Sequence, residues 1–225
     1  MSDAEDSSDT REAIMDATYR ALCSHGYAKL TMQDIADEFE KSKSLLHYHF
    51  DTKEELLVAF IDHLLERFAE RVALHEDEDP KTRLRSFVDW FVFDPEDAER
   101  EAFHVALLEL RSQAPFNDRY REQLRRSDTL VRSALTEIVR EGIESGQFRD
   151  CDPEQVAALC FATMDGARTR QITLGEPGYA ADIRQALYDH VIDDLIAANT
   201  DETDADETDA DGDTDGDTSN ASGRV

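Results

Sequence analysis

The sequence predicts an all-α protein, with a small three-helix unit at its N-terminus and a larger helical body behind it, about nine helices in total. Three observations carry this. Apolar residues recur at spacings of three and four through residues 9–199, and no stretch alternates with the period of two that a half-buried strand requires. The breaks between periodic stretches carry helix-start chemistry: Thr31 with Asp34, Thr52 with Glu55, and Asp-Pro at 79–80 and 152–153. Residues 200–225 have no large apolar side chain before Val225, so they cannot offset their ordering entropy and are expected to form a disordered acidic tail.

Residues 1–10 hold four acids and no base and are also expected to be disordered. The first helix spans residues 9–24, with Ile14, Ala17, Thr18, Ala21 and Leu22 inward and Gly26 as its stop. Thr31 caps a second, short helix whose Met32, Ile35, Ala36 and Phe39 fall at i, i+3, i+4 and i+7. Glu40-Lys41 makes the turn, and Ser42 caps a third helix over residues 43–49. Leu46 and Phe50 pack back on the second helix. That leaves Lys43, Ser44, Leu45, His47, Tyr48 and His49 around the remaining surface. This is a helix-turn-helix, and its second helix has the width and the donors of a major-groove reader. Spacing alone fits a helical hairpin with a solvated face equally well.

Thr52 then opens a long helix carrying Leu56, Leu57, Phe60, Leu64, Phe68 and Val72, which fades at residues 75–78. Asp79-Pro80 starts a helix with Leu84, Phe87, Val88 and Phe91 inward, and Asp94-Pro95 ends it. Residues 96–112 pack Phe103, Ala106, Leu107 and Leu110, and Ala114-Pro115-Phe116-Asn117 breaks the chain again. A helix over 117–145 places Tyr120, Leu124, Val131, Leu135, Ile138 and Val139 on one side, and Gly146 caps it. Asp152-Pro153 opens the eighth helix, with Val156, Leu159, Cys160, Met164 and Ala167, ending at Gly175. The ninth, over 179–199, carries Ile183, Leu187, Val191, Ile192 and Leu195. The domain division that follows is 11–55 for the helix-turn-helix unit and 56–199 for the body.

Charge narrows the function classes. The formal net charge is −28, far from the basic balance of most DNA binders, but its distribution is uneven. Residues 201–225 carry ten acids against Arg224, whereas residues 41–53 carry three Lys and two His against Asp51. The basic island coincides with the third helix. Five Lys against 19 Arg, with acids on every helix, suggests a salt-rich cytoplasm, where repulsion is screened within about 3 Å at 1 M salt. Cys23, Cys151 and Cys160 form no framework, which argues for a reducing interior; Cys151, in a loop, is the one weak candidate for a redox sensor. No signal peptide is expected, and the longest nearly apolar run, 156–164, is far too short for a membrane span. No His, Cys and carboxylate cluster has metal-ligand spacing, and no nucleophile elbow or phosphate loop occurs, so catalysis, metal and cofactor are not expected. The Asp-rich tail lacks the ligand ladder of a calcium loop.

Three segments carry a resemblance: His25-Gly26-Tyr27, then L-T-M-Q-D-I-A, then S-K-S-L-L-H-Y-H-F-D-T-K-E-E-L. Over residues 11–60 the chain resembles the DNA-binding domain of TetR-family transcriptional regulators, whose members commonly read S-K-G-x-L-Y-x-H-F-x-x-K-E-x-L there. It departs at Ser44, at His47 and at Glu40-Lys41. The resemblance implies that Thr31, Tyr48 and Lys53 hold phosphates of double-stranded DNA. Gln33, Lys43, Ser44, Leu45 and His49 would face bases, and His47 would stand where the family usually has a tyrosine on the backbone. It also implies a homodimer joined through the last two helices, a palindromic operator, and a small-molecule effector enclosed by the middle helices. Phe91, Phe93, Phe103, Leu107, Phe116, Tyr120 and Met164, with Arg111 and Arg168 as polar anchors, are the candidate effector contacts. His104 reads as a core or boundary histidine. The competing expectation is a helical interaction module that does not bind DNA, its acidic surface precluding it.

Overall fold

The computed structural model describes residues 2–39, 43–91 and 98–197, and its regular structure is helical throughout, with no strand among the described residues. The first element, α1 (Ser2–Lys29), begins well before residue 9. Thr10, in the stretch expected to be disordered, is buried. Gly26 interrupts α1 with φ 66° and ψ 167°, a conformation that a side chain would strain.

In α2 (Met32–Glu38) the expected cap forms in both directions. The Asp34 N–H donates to the Thr31 hydroxyl at 3.2 Å and the Thr31 N–H donates to the Asp34 carboxylate at 2.8 Å. The Thr31 hydrogen bonds hold the Asp34 carboxyl below its usual range. Next come α3 (Lys43–His49) and α4 (Lys53–Ala73). Thr52 caps α4 by accepting from Glu55, but the Glu55 carboxylate reaches the Asp51 N–H at 3.2 Å, so the reciprocal bond lands one residue early. The body follows as α5 (Pro80–Phe91), α6 (Ala98–Gln113), α7 (Asp118–Glu144), α8 (Pro153–Leu174) and α9 (Tyr179–Leu187). A π-helical turn (Tyr188–Ile192) and α10 (Asp193–Ala197) continue α9 without a break. The expected turn at 40–42, the stop at Asp94-Pro95 and the acidic tail lie outside the described residues.

Two cores result, and their boundary does not fall at residue 55. One joins Ile14, Leu22, Ile35, Leu46, Leu57 and Phe60 of the N-terminal unit to Phe103, Ala106 and Leu110 of α6 and Tyr120 of α7. The other unites α5, α7, α8 and α9 around Leu84, Val88, Leu135, Met164 and Ile192. Helix α6 lies along α1, where Phe103 meets Tyr19 at 4.6 Å between ring centroids and Glu109 accepts from the Ala28 N–H at 3.2 Å. Within the second core the buried Arg83 guanidinium pairs with Glu141.

Neither Cys151 nor Cys160 is placed as an acidic thiol. Burial pushes the thiols of both Cys151 and Cys160 up, the latter to about 11, away from the thiolate that oxidation needs.

Candidate DNA-reading face and effector cavity

In α3 the sequence leaves one residue to hold the helix down. Leu46 is fully buried under α2, while Ser44 and His47 are exposed, Leu45 and His49 are half-buried, and Tyr48 is 84% exposed. The Tyr48 ring stands edge-on to His49 at 5.5 Å. Hydroxyls, imidazoles and a phenol therefore project from one short rod whose backbone is fixed from behind. Lys43 opens this rod, and its side chain lies outside the described residues. Gln33 is exposed on α2, its amide held by Asp37. The Thr31 hydroxyl has its hydrogen on Asp34 at 2.7 Å, so towards a phosphate it is already committed.

Lys53 is placed differently from the expectation. Its ammonium donates to the carbonyls of Leu30 at 2.9 Å and Tyr27 at 3.2 Å and lies 4.7 Å from the Tyr27 ring centroid. Burial lowers its pKa. Lys53 thus clamps the end of α1 to the start of α4, with one of three ammonium hydrogens left for a phosphate.

Behind this unit, α4, α5, α6, α7 and α8 enclose a cavity of about 760 Å³, with Tyr19 of α1 also in its wall. One end is aromatic. Trp90 lies 5.6 Å from Phe68 and 6.2 Å from Phe91, and Phe91 lies 5.6 Å from Phe161. Guanidiniums cover these rings: Arg168 is 4.4 Å from the Phe91 centroid, Arg71 5.1 Å and Arg100 6.0 Å from that of Trp90. A single oxygen of Asp165 accepts from Arg168 at 2.7 Å and from Arg111 at 3.0 Å. His104, also in the wall, is pushed down to about 3 by burial and by the charges of Arg168 and Arg100, so at neutral pH its imidazole is uncharged.

Of the expected effector contacts, Phe91, Phe103, Leu107, Arg111 and Arg168 line this cavity. Three do not. Tyr120 is buried in the N-terminal core against Tyr27, 6.2 Å between centroids, and burial and that neighbour's hydroxyl hold its phenol protonated. Met164 is fully buried on the core side of α8, and Phe116, 88% exposed, is on the α6–α7 connection. Phe93 lies outside the described residues. Trp90, Arg71, Arg100 and Asp165 join the wall without having been singled out by the sequence, and His104, read as a core or boundary residue, is half-buried in the wall as well. A signal was present, since Arg100, Phe103, His104, Leu107 and Arg111 share one face of α6 at i, i+3, i+4, i+7 and i+11. Polar groups interrupt that apolar stripe where the cavity lies.

Among the described residues no group of side chains could hold a metal ion, and no helix is long and apolar enough to cross a membrane. Comparison with known proteins agrees with this layout. Residues 14–60 match the sequence family "Bacterial regulatory proteins, tetR family", and residues 80–197 match "BetI-type transcriptional repressor, C-terminal". The transcriptional regulator TtgR of Pseudomonas putida is 30% identical over 189 residues, 76% of this chain and 83% of that one. The crystal structure of a TetR transcription regulator from Haloarcula marismortui is 42% identical with a TM-score of 0.73, covering 85% of this chain and 98% of that one. A transcriptional regulator from Saccharomonospora viridis, solved in complex with choline, is 25% identical with a TM-score of 0.68, covering 82% and 96%.

Proposed function

This chain belongs to the TetR family of DNA-binding transcriptional regulators, and from that premise we propose that it is a homodimeric repressor released from a palindromic operator by a small molecule held in the cavity. It is a regulator and not an enzyme. The observation that supports the operator role best is α3, pinned by Leu46 and otherwise turned outward with Tyr48, His47 and Ser44. Two copies would enter successive major grooves about 34–36 Å apart. Leu45, His49, Gln33 and Lys43 face bases in this reading, and Tyr48 grips the backbone; Thr31 and Lys53 serve first as a cap and a clamp. The decisive experiment is retention of the chain's own upstream intergenic DNA in molar potassium chloride. Loss of specific retention in Lys43→Ala/His49→Ala, with normal retention by the parent, supports the reading; no retention by the parent on genomic or random-sequence DNA counts against it.

The effector reading rests on the position of the cavity. Helices α4 and α6 wall it and also reach the N-terminal core, so an occupant that moves either one acts on the reading unit. The acidic surface and the kinship to a Haloarcula protein support operation in a salt-rich cytoplasm. Few cations face the DNA, so log K is expected to fall with log[KCl] no more steeply than about −5, the slope for about six phosphates. A titration giving a slope near −10, as for a strongly basic repressor, would contradict this.

In this reading the dimer forms through α8 and α9. Leu159 is 54% exposed, and Ala162 and Gly166 follow it outward on α8, where a Cβ on Gly166 would meet nothing within 4 Å. A small-residue face with one exposed leucine lets a second helix approach closely. Leu159→Arg is expected to give a folded monomer by light scattering and to abolish operator retention. A dimer that survives this change would move the interface elsewhere.

A further inference from the structure

The joint between the body and the reading unit is a single turn. Gly26 breaks α1, and the chain restarts as a short helical turn whose Leu30 N–H donates to the Gly26 carbonyl at 3.2 Å. The next residue, Thr31, is already the cap of α2. Whatever fixes residues 26–30 therefore fixes where α2 starts, and with it α3, which the buried Leu46 holds in the same core.

Two charged side chains grip this turn, one at each end. A restarted helix begins with N–H groups that have no carbonyl of their own turn to meet. Here the Ala28 N–H donates to the Glu109 carboxylate of α6 at 3.2 Å. At the other end, the carbonyls of Tyr27 and Leu30 accept from the Lys53 ammonium of α4, at 3.2 Å and 2.9 Å. A carboxylate at the N–H end and an ammonium at the C=O end is the arrangement that a helix dipole favours. Gly26 also makes room for it, since a Cβ there would stand 3.1 Å from a Glu109 oxygen. Glu109 and Lys53 are both half-buried, so salt screens them less than it screens the surface.

The apolar contact between α1 and α6 is of another kind. Tyr19 lies on Phe103, 4.6 Å between ring centroids, and holds α1 on α6 by burial. Burial is non-directional, whereas a hydrogen bond weakens steeply once it bends. Packing keeps the reading unit against the body; the bond from Ala28 to Glu109 sets the angle at which it is kept.

We propose that Glu109 is a positioning residue for operator reading. From α6, and opposite Lys53 of α4, it fixes the angle of α2 and α3 on the body, so that the two copies of α3 in a dimer stand at one separation. This rests on the operator reading above. It goes beyond that reading by naming a residue of the body, far in sequence from the helix-turn-helix, on which the choice between half-site spacings depends.

The test uses the full chain and two duplexes. One is the operator selected from random DNA with the parent protein. The other has one base pair inserted at its centre, which moves a half-site by about 3.4 Å and turns it by about 35°. The parent is expected to prefer the selected spacing. Glu109→Ala is expected to retain the selected duplex about tenfold less well, because apparent affinity falls with the fraction of molecules whose reading unit is in place. On the inserted duplex it is expected to lose little, so the preference shrinks. Glu109→Gln, whose amide oxygen accepts the same N–H without the charge, is expected to recover most of the preference. Glu109→Asp keeps the charge but withdraws it from Ala28 by one methylene; it is expected to behave as the alanine variant does, and it decides the matter if that variant is too unstable to assay. Equal loss on both duplexes is what a general weakening of the fold would give and overturns the inference, as does an unchanged preference. A parent indifferent to spacing removes the operator reading and this inference with it, whereas a failure confined to the variants removes the inference alone.

Discussion

Phe148→Ala is expected to remove about 3–5 kcal/mol of stability, and Gly142→Ala an amount of the same order, yet together the two are expected to lose clearly less than their sum. Phe148 is 2% exposed, and its ring folds back onto the end of α7, where a Cβ on Gly142 would stand 2.1 Å and 2.3 Å from two ring carbons. No contact of that length exists, and a ring packed this deeply cannot step aside. The turn leaves little slack: the N–H groups of Gln147 and Phe148 both donate to the Gly142 carbonyl at 2.9 Å, and Gly146 adopts φ 69°. Arg149 then donates its N–H to Leu195 at 2.9 Å and pairs with Asp194 at 3.1 Å, which fastens the last rod to the same turn. With Phe148 gone, the methyl that Gly142→Ala introduces enters the space that the ring left, and the change recovers the helix propensity that glycine lacks, about 1 kcal/mol. Urea unfolding of the four proteins in molar salt checks this, and strict additivity would mean that ring and glycine do not share the space.

That turn shows what sequence can carry. The stretch 141–149 announced a helix end through Gly146, but nothing in its order said that Gly142 exists to admit a ring six residues on. The caps were fully legible, because Thr31 with Asp34 is a contact between near neighbours in a fixed local geometry. Helix faces were legible for the same reason. What periodicity cannot say is whether an inward face meets another side chain or a void. Tyr120, Met164 and Phe91 are equally regular members of their stripes; the first two meet packed core, and the third opens on the cavity. Lys53 has internal partners that the sequence did not announce, for a related reason. Its place in a motif fixes its position at the start of α4, but the carbonyls it binds belong to residues 23 and 26 positions earlier, and only the packing of α1 brings them there.

His47→Ala/Tyr48→Ala is expected to leave the fold intact and to abolish operator binding without a weak residual. Both side chains are exposed, Tyr48 to 84%, so the unfolding midpoint should move by no more than a surface change does, within about 0.5 kcal/mol. Each lost contact to base or backbone is worth about 1–3 kcal/mol, and a homodimer loses it twice, so affinity should fall at least about a hundredfold. The absence of a residual follows from the charge. A basic repressor stripped of its specific contacts still holds DNA through counterion release, whereas this chain carries −28 and its best-placed cation, Lys53, is turned inward. In the proposed reading, affinity comes from the side chains of α3 more than from general attraction. Lys53→Ala supplies the contrast: it removes the clamp between α1 and α4, so stability and binding should fall together. Filter retention and thermal unfolding of both variants settle the matter. A double variant that stays folded and still retains the operator would show that α3 is not the reading helix.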